Sequence, residues 1–189
     1  MKIIVISGKS GSGKDTIANI MKNKLESSGL SCVILHYADL VKYYAKQYYN
    51  WNGVKDESGR TLLQKLGTDK VRAKFPDYWA EAIAKFLSAV SDDFDCALIP
   101  DARFLNEIEV VKQYNPGAIS LRIERYNINN LPYINPEFTK EQLIHPSETS
   151  LDTYEDFDYI VENHNDNLEE LKESANTILT DIGLLSKGE

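Results

Sequence analysis

Ile3-Ile4-Val5-Ile6-Ser7-Gly8-Lys9-Ser10-Gly11-Ser12-Gly13-Lys14-Asp15-Thr16 is the stretch that decides the reading of this chain. The run Ile3 to Ile6 reads as a fully buried strand, and Ile17, Ile20, Met21 and Leu25 lie at the spacing of one apolar helix face. Between them sits a glycine-rich turn ending Gly13-Lys14, the context in which successive backbone N–H groups curl inward around an oxyanion and a lysine reaches terminal phosphates. Gly8, Lys9, Ser10, Gly11, Ser12, Gly13, Lys14, Asp15 and Thr16 are therefore expected to cradle a nucleoside triphosphate. A flexible glycine turn with a solvated lysine is the plainer alternative. Asp15 stands where such loops usually carry a Ser or Thr hydroxyl for magnesium, and Thr16 comes one place late. Either Asp15 carries the metal, directly or through water, or it neutralises Lys14 and positions a second substrate; we take the metal reading.

The rest of the chain repeats the strand and helix alternation. Runs at 31–37, 95–100, 118–124 and 157–162 read as four further strands, with helical patterns between them. The expected fold is α/β: a five-stranded parallel sheet with helices on both faces, in one domain over residues 1–189. Two insertions are expected, one at about 38–75 and a lid at about 126–153, where Pro132, Pro136 and Pro146 interrupt any periodicity. Asp39 is read as a helix cap or a substrate contact, Thr61 and Gln64 as a capping box, His36 as a structural residue within the second strand, and Asp166 as the cap of the last helix.

A net charge of -8 argues against a nucleic-acid partner. No apolar run approaches the ~18 residues of a membrane span. The amino terminus enters its first strand directly, so a cytoplasmic protein is expected. Cys32 and Cys96 sit in apolar runs and read as buried thiols. Arginine occurs only at Arg60, Arg72, Arg103, Arg122 and Arg125, mid-chain, where its planar fork suits a second anionic ligand. Asp101, at the carboxyl end of a buried strand, is the candidate for ordering magnesium or water, with helix capping as the alternative; Arg103 beside it is a candidate phosphoryl clamp or a partner of Glu107. Trp79 opens a helix whose apolar face is core, and a substrate contact is the second possibility for it. Phosphate loop, strand-end acid, arginines and lid together suggest ATP- and magnesium-dependent phosphoryl transfer to a small acceptor that itself carries a phosphate.

These features resemble the phage-type deoxynucleoside monophosphate kinases of the nucleoside monophosphate kinase superfamily. The resemblance rests on Gly13-Lys14-Asp15-Thr16, Gly59-Arg60-Thr61-Leu62-Leu63-Gln64 with Gly67-Thr68, Pro100-Asp101-Ala102-Arg103-Phe104-Leu105-Asn106-Glu107, and His145-Pro146-Ser147-Glu148. It implies transfer of the γ-phosphate of ATP to a (deoxy)nucleoside monophosphate. Asp39, Arg60, Arg72, Trp79, Asp101 and Arg103 would serve the acceptor; Lys14, Asp15, Arg103 and Arg125 would act at the transferring group; Asp15, Thr16 and Asp101 would serve Mg2+; and Asn163 would lie near the adenine. It further implies small-molecule nucleotide partners, a host cytoplasm if phage-encoded, and leaves a homodimer open. The lid at 126–153 contains no arginine, unlike the lids of cellular adenylate kinases. A phosphomevalonate kinase-like enzyme, suggested by Gly13-Lys14-Asp15, and an ATP-binding switch are the competing readings.

Overall fold

The computed structural model describes residues 1–164 and 167–186. Five strands form one parallel sheet: β1 (Lys2–Gly8), β2 (Cys32–Ile34), β3 (Cys96–Ala102), β4 (Ile119–Tyr126) and β5 (Tyr159–His164), in the order β2-β3-β1-β4-β5. The strand that feeds the glycine-rich loop is central and buried on both faces, which is why Ile3 to Ile6 are uniformly apolar rather than alternating.

Helices α1 (Lys14–Ser27), α2 (Ala38–Tyr48), α3 (Glu57–Gln64), α4 (Tyr78–Ala89), α5 (Leu105–Tyr114), α6 (Lys140–Leu143), α7 (Pro146–Thr149) and α8 (Leu168–Asp181) complete the order. On one face, Ile17, Met21 and Leu25 of α1 and Leu171, Ile178 and Leu179 of α8 pack on Ile4, Ile6, Leu98 and Leu121. On the other, Ile83 and Leu87 of α4 and Ile108 and Val111 of α5 pack on Ile3, Val5 and Ile99. A third, smaller cluster joins Val41, Ala45, Trp51, Leu66 and Trp79, and it fastens the insertion after β2 to the body.

Within that insertion α3 runs on into a π-helical segment, Lys65–Arg72. Its carbonyl at Gly67 accepts a hydrogen bond from the Trp79 indole at 3.0 Å. Wide turns of this kind are uncommon and concentrate near functional sites.

Several local expectations are corrected. The second strand stops at Ile34, so His36 stands beyond it, at the carboxyl edge of the sheet. Asp56, not Thr61, caps α3, its side chain accepting from Gly59 N at 2.8 Å, while Thr61 lies inside the helix and donates to Glu57 O. Asp39 falls within α2, whose first amides are met by Asp101 from across the sheet. The last strand runs on through Asn163 and His164, two residues past the run read as its extent. Asp166 lies outside the described residues; Asn167 caps α8, accepting from Glu169 N and Glu170 N. Cys32 and Cys96 are buried free thiols on neighbouring strands. Among the described residues no helix is long and apolar enough to cross a membrane.

Candidate functional site

The turn after β1 is built around glycines that leave no room for a side chain. A Cβ on Gly8 would lie 2.5 Å from Ser12 Oγ and 2.6 Å from Ile123 O, so loop and sheet approach at backbone distance. Inside the turn, the Lys14 ammonium is folded back onto Gly8 O (2.8 Å) and Lys9 O (2.7 Å) and is nearly buried. Burial, then the Arg103 guanidinium, push it well below the ordinary lysine value, against the pull of Glu148, Asp15 and Asp101. Among the described residues its hydrogen bonds go to carbonyls, and a buried ammonium so held suits a further anionic partner. The Ser12 hydroxyl is also buried, and no partner is present for it among the described residues. Both features fit the phosphates of ATP. Asn163, 1% exposed, braces the turn from behind, donating to Ser12 O at 3.0 Å.

A cavity of about 360 Å³ opens from this loop toward the insertion after β2 and the segment holding Phe138, Ser147 and Glu148. It gathers Lys14, Asp15, Arg60, Arg72, Trp79, Asp101 and Arg103, residues spread over three sequence segments. Ser10 and Gly11 also reach it. Arg125 borders instead a second cavity of about 280 Å³ on the other flank of the loop, with Lys9, Ser10 and Ser12. There its guanidinium lies 3.8 Å from the Tyr133 ring centroid and donates to Gly11 O at 2.7 Å. Asp39, Thr16, Gly8, Gly13 and Asn163 line neither cavity. Asp39 accepts from His36 N and from Lys42.

Each cavity arginine is aimed by an acid. Arg60 Nη2 meets Glu137 Oε2, in the segment between β4 and β5, at 2.5 Å. Arg72 Nη2 meets buried Glu107 Oε1 at 2.5 Å, Nη1 donates to Asn106 Oδ1, and the plane lies 3.9 Å over Phe104. Arg103 Nη1 meets Glu148 Oε1 at 2.8 Å, whereas its own N–H donates to Glu107 Oε2. The expected Arg103–Glu107 pairing is thus made through the backbone. Burial, partly offset by Arg72, pushes Glu107 up to about 7.

Asp15 Oδ1, on the cavity, is 3.1 Å from His36 Nε2. This bond holds the Asp15 carboxyl below its usual range and raises the His36 imidazole. Asp101 is half-buried on the cavity wall, its oxygens accepting from Tyr37 N (2.9 Å) and Ala38 N (3.0 Å), and burial raises it against those bonds. Asp15, with a largely exposed carboxylate on the cavity, suits a hard cation; the described residues contain no group of three or more His, Cys, Asp or Glu that could hold a metal. A site with one protein oxygen is typical where substrate phosphates and water supply the remaining ligands.

Sequence reasoning missed His36, Glu107 and Glu148 as site residues. For His36 the shortness of β2 hid its position; Glu107 and Glu148 stood within quoted motifs, but their partners lie 35 and 138 residues away and leave no periodic trace.

Comparison with known proteins follows from this geometry. The family model described as deoxynucleotide monophosphate kinase matches residues 30–175, and that for adenylylsulphate kinase matches residues 1–52. Among solved structures, a sugar kinase from Janibacter sp. HTCC2649 is similar at a TM-score of 0.55 and 19% identity, covering 97% of this chain and 95% of that one. The Mycobacterium tuberculosis APS kinase CysC in complex with AMPPNP and APS is similar at 0.51 and 12% identity, with 96% of each chain covered. At such identities the likeness is one of fold. No curated protein sequence matches the chain.

Proposed function

The chain belongs to the deoxynucleotide monophosphate kinase family and is a P-loop phosphotransferase, and from that premise we propose that it transfers the γ-phosphoryl group of ATP to a (deoxy)nucleoside monophosphate. One observation carries the reading: a single cavity is lined both by the phosphate loop with its buried lysine and by Arg60, Arg72 and Arg103. Each of these guanidinium groups has more N–H donors than its one internal acid takes, and a phosphate-bearing acceptor suits the remainder better than a neutral one.

In this reading Lys14 leaves the carbonyls of Gly8 and Lys9 for the β- and γ-phosphates of ATP. Asp15 holds Mg2+, which when bound neutralises phosphate charge. Arg72 and Arg103 grip the acceptor phosphate, and Arg125, stacked on Tyr133 beside the loop, steadies the donor. An oxygen of the acceptor phosphate attacks the γ-phosphorus as the bond to the ADP oxygen breaks. The nucleophile is already anionic, so no general base is needed; positioning and charge neutralisation do the work. The lid keeps water from replacing the acceptor.

The test is a panel of ribo- and deoxyribonucleoside monophosphates incubated with ATP and magnesium and scored for diphosphate. At least one should raise ADP formation far above the acceptor-free rate and appear as its diphosphate. ATP hydrolysis indifferent to every monophosphate would overturn the reading.

A further inference from the structure

The segment His145-Pro146-Ser147-Glu148 belongs to the lid, and the chemistry above leaves it without a role. The Glu148 side chain is 7% exposed, although it sits on a four-residue helix at the surface of the fold. One carboxylate oxygen takes Arg103 Nη1 at 2.8 Å, and the other accepts from the Ser10 backbone N–H of the phosphate loop at 3.0 Å. One turn further on, Asp152 meets Lys9 at 2.7 Å and lies 3.7 Å from Arg122. An arginine-free lid is therefore seated through acids on cations that belong to the loop and the strand ends.

We propose that Glu148 is a positioning residue for phosphoryl transfer: it seats the lid on the phosphate loop and holds the Arg103 fork on the cavity wall, so that lid order and arginine orientation are one equilibrium. A carboxylate suits both tasks. It accepts from two donors at once, and a charge-assisted bond to a guanidinium is about twice as strong as a neutral one. An arginine fixed in this way needs no reorganisation as charge spreads in the transition state. The role of Arg103 in transfer rests on the function proposed above; the pairing of lid and arginine does not.

Two measurements separate these layers. In steady-state kinetics with the best acceptor, Glu148→Gln should lower kcat/KM for that acceptor by about tenfold or more and change ATP affinity by no more than about threefold. Glu148→Asp should recover part of the loss. In an Arg103→Ala background Glu148→Gln should cost no more than about a further twofold, because the orientation it supplies has nothing left to orient. Multiplying losses would overturn the proposal, and so would tighter ATP binding, which would make Glu148 a competing internal anion. In hydrogen exchange on the nucleotide-free protein, Glu148→Gln and Arg103→Ala should each speed exchange over residues 140–152, and the double variant no further, with β1 and β3 still protected. Unchanged exchange in that segment would overturn the seating of the lid. This second arm needs no acceptor, so it stands if every monophosphate fails as a substrate.

Discussion

Asp15 replaces the hydroxyl that a phosphate loop usually offers, and its neighbourhood supports a ligand of the metal rather than of the lysine. The carboxylate points onto the cavity, is tied by one oxygen to His36, and is kept ionised by that bond. Asp15→Ala should reduce turnover about a hundredfold while ATP affinity, set by backbone amides and Lys14, changes only a few-fold; rapid-quench or steady-state rates beside equilibrium ATP binding would show it. Equal losses in both would remove the metal-side role. Glu107 offers a different test, of stability. Buried, it titrates at about 7 against 4.5 for an ordinary glutamate. Between those values the folded protein keeps a proton that the unfolded chain releases, so stability contributed by this group is complete at the acid end and falls as pH rises toward 7. The gap corresponds to about 3 kcal/mol. Urea unfolding at pH 5 and pH 7.5 should show this decline in the wild type and a flatter profile in Glu107→Gln; parallel profiles would place the titration elsewhere.

At the level of elements, the π-helical segment Lys65–Arg72 is the clearest case of tertiary contact overriding a local pattern. Trp79 is 2% exposed, packs edge-on against Tyr78 at 4.8 Å, and closes its indole N–H onto Gly67 O. The sequence reads Trp79 as core, with a substrate contact as the second possibility; the side chain is buried in the small cluster and also lines the cavity. Trp79→Phe leaves Gly67 O without that donor and removes ring volume, so a loss of about 1–3 kcal/mol is expected in unfolding. It should also raise acceptor KM more than ATP KM, because the displaced turn carries Arg72; equal effects on both substrates would uncouple the turn from the acceptor end. The contrast explains what was legible beforehand. β1, the loop and α1 are specified by neighbours within a few residues, and the parallel sheet follows from alternating strands and helices. The extent of β2 and the partners of Arg72 and Arg103 depend on chain segments far apart in sequence, where no spacing rule applies. The cap of α3 is local instead, and was misplaced because Asp56 and Thr61 both offer a capping oxygen. The acids opposite the arginines were the largest omission, since a Glu on a helix end or in a proline-broken loop looks like a solvated surface group.

Across the whole molecule, residues 126–153 are tied to the rest through three pairs that link separate segments: Arg60 with Glu137, Asp69 with His145 at 3.7 Å, and Arg103 with Glu148. Two of these bridge that segment to the insertion and one bridges it to the sheet. α2, α3 and the π-helical segment share the small cluster around Val41, Leu66 and Trp79, so the insertion packs as one piece against α4 of the body. Ligands on the phosphate loop and on the cavity arginines should therefore order different parts of the protein. ATP alone should protect the loop and residues 140–152, whereas a dinucleoside pentaphosphate, which fills donor and acceptor ends together, should also protect residues 38–75. Hydrogen exchange resolved by peptide would report it. If ATP alone gave the full pattern, the insertion would be following the lid rather than reading the acceptor. If the pentaphosphate gave nothing beyond ATP, the cavity arginines would not be taking the second nucleotide. The distinction matters for turnover, since a lid that closed fully on ATP alone would shield the γ-phosphate from the acceptor as well as from water.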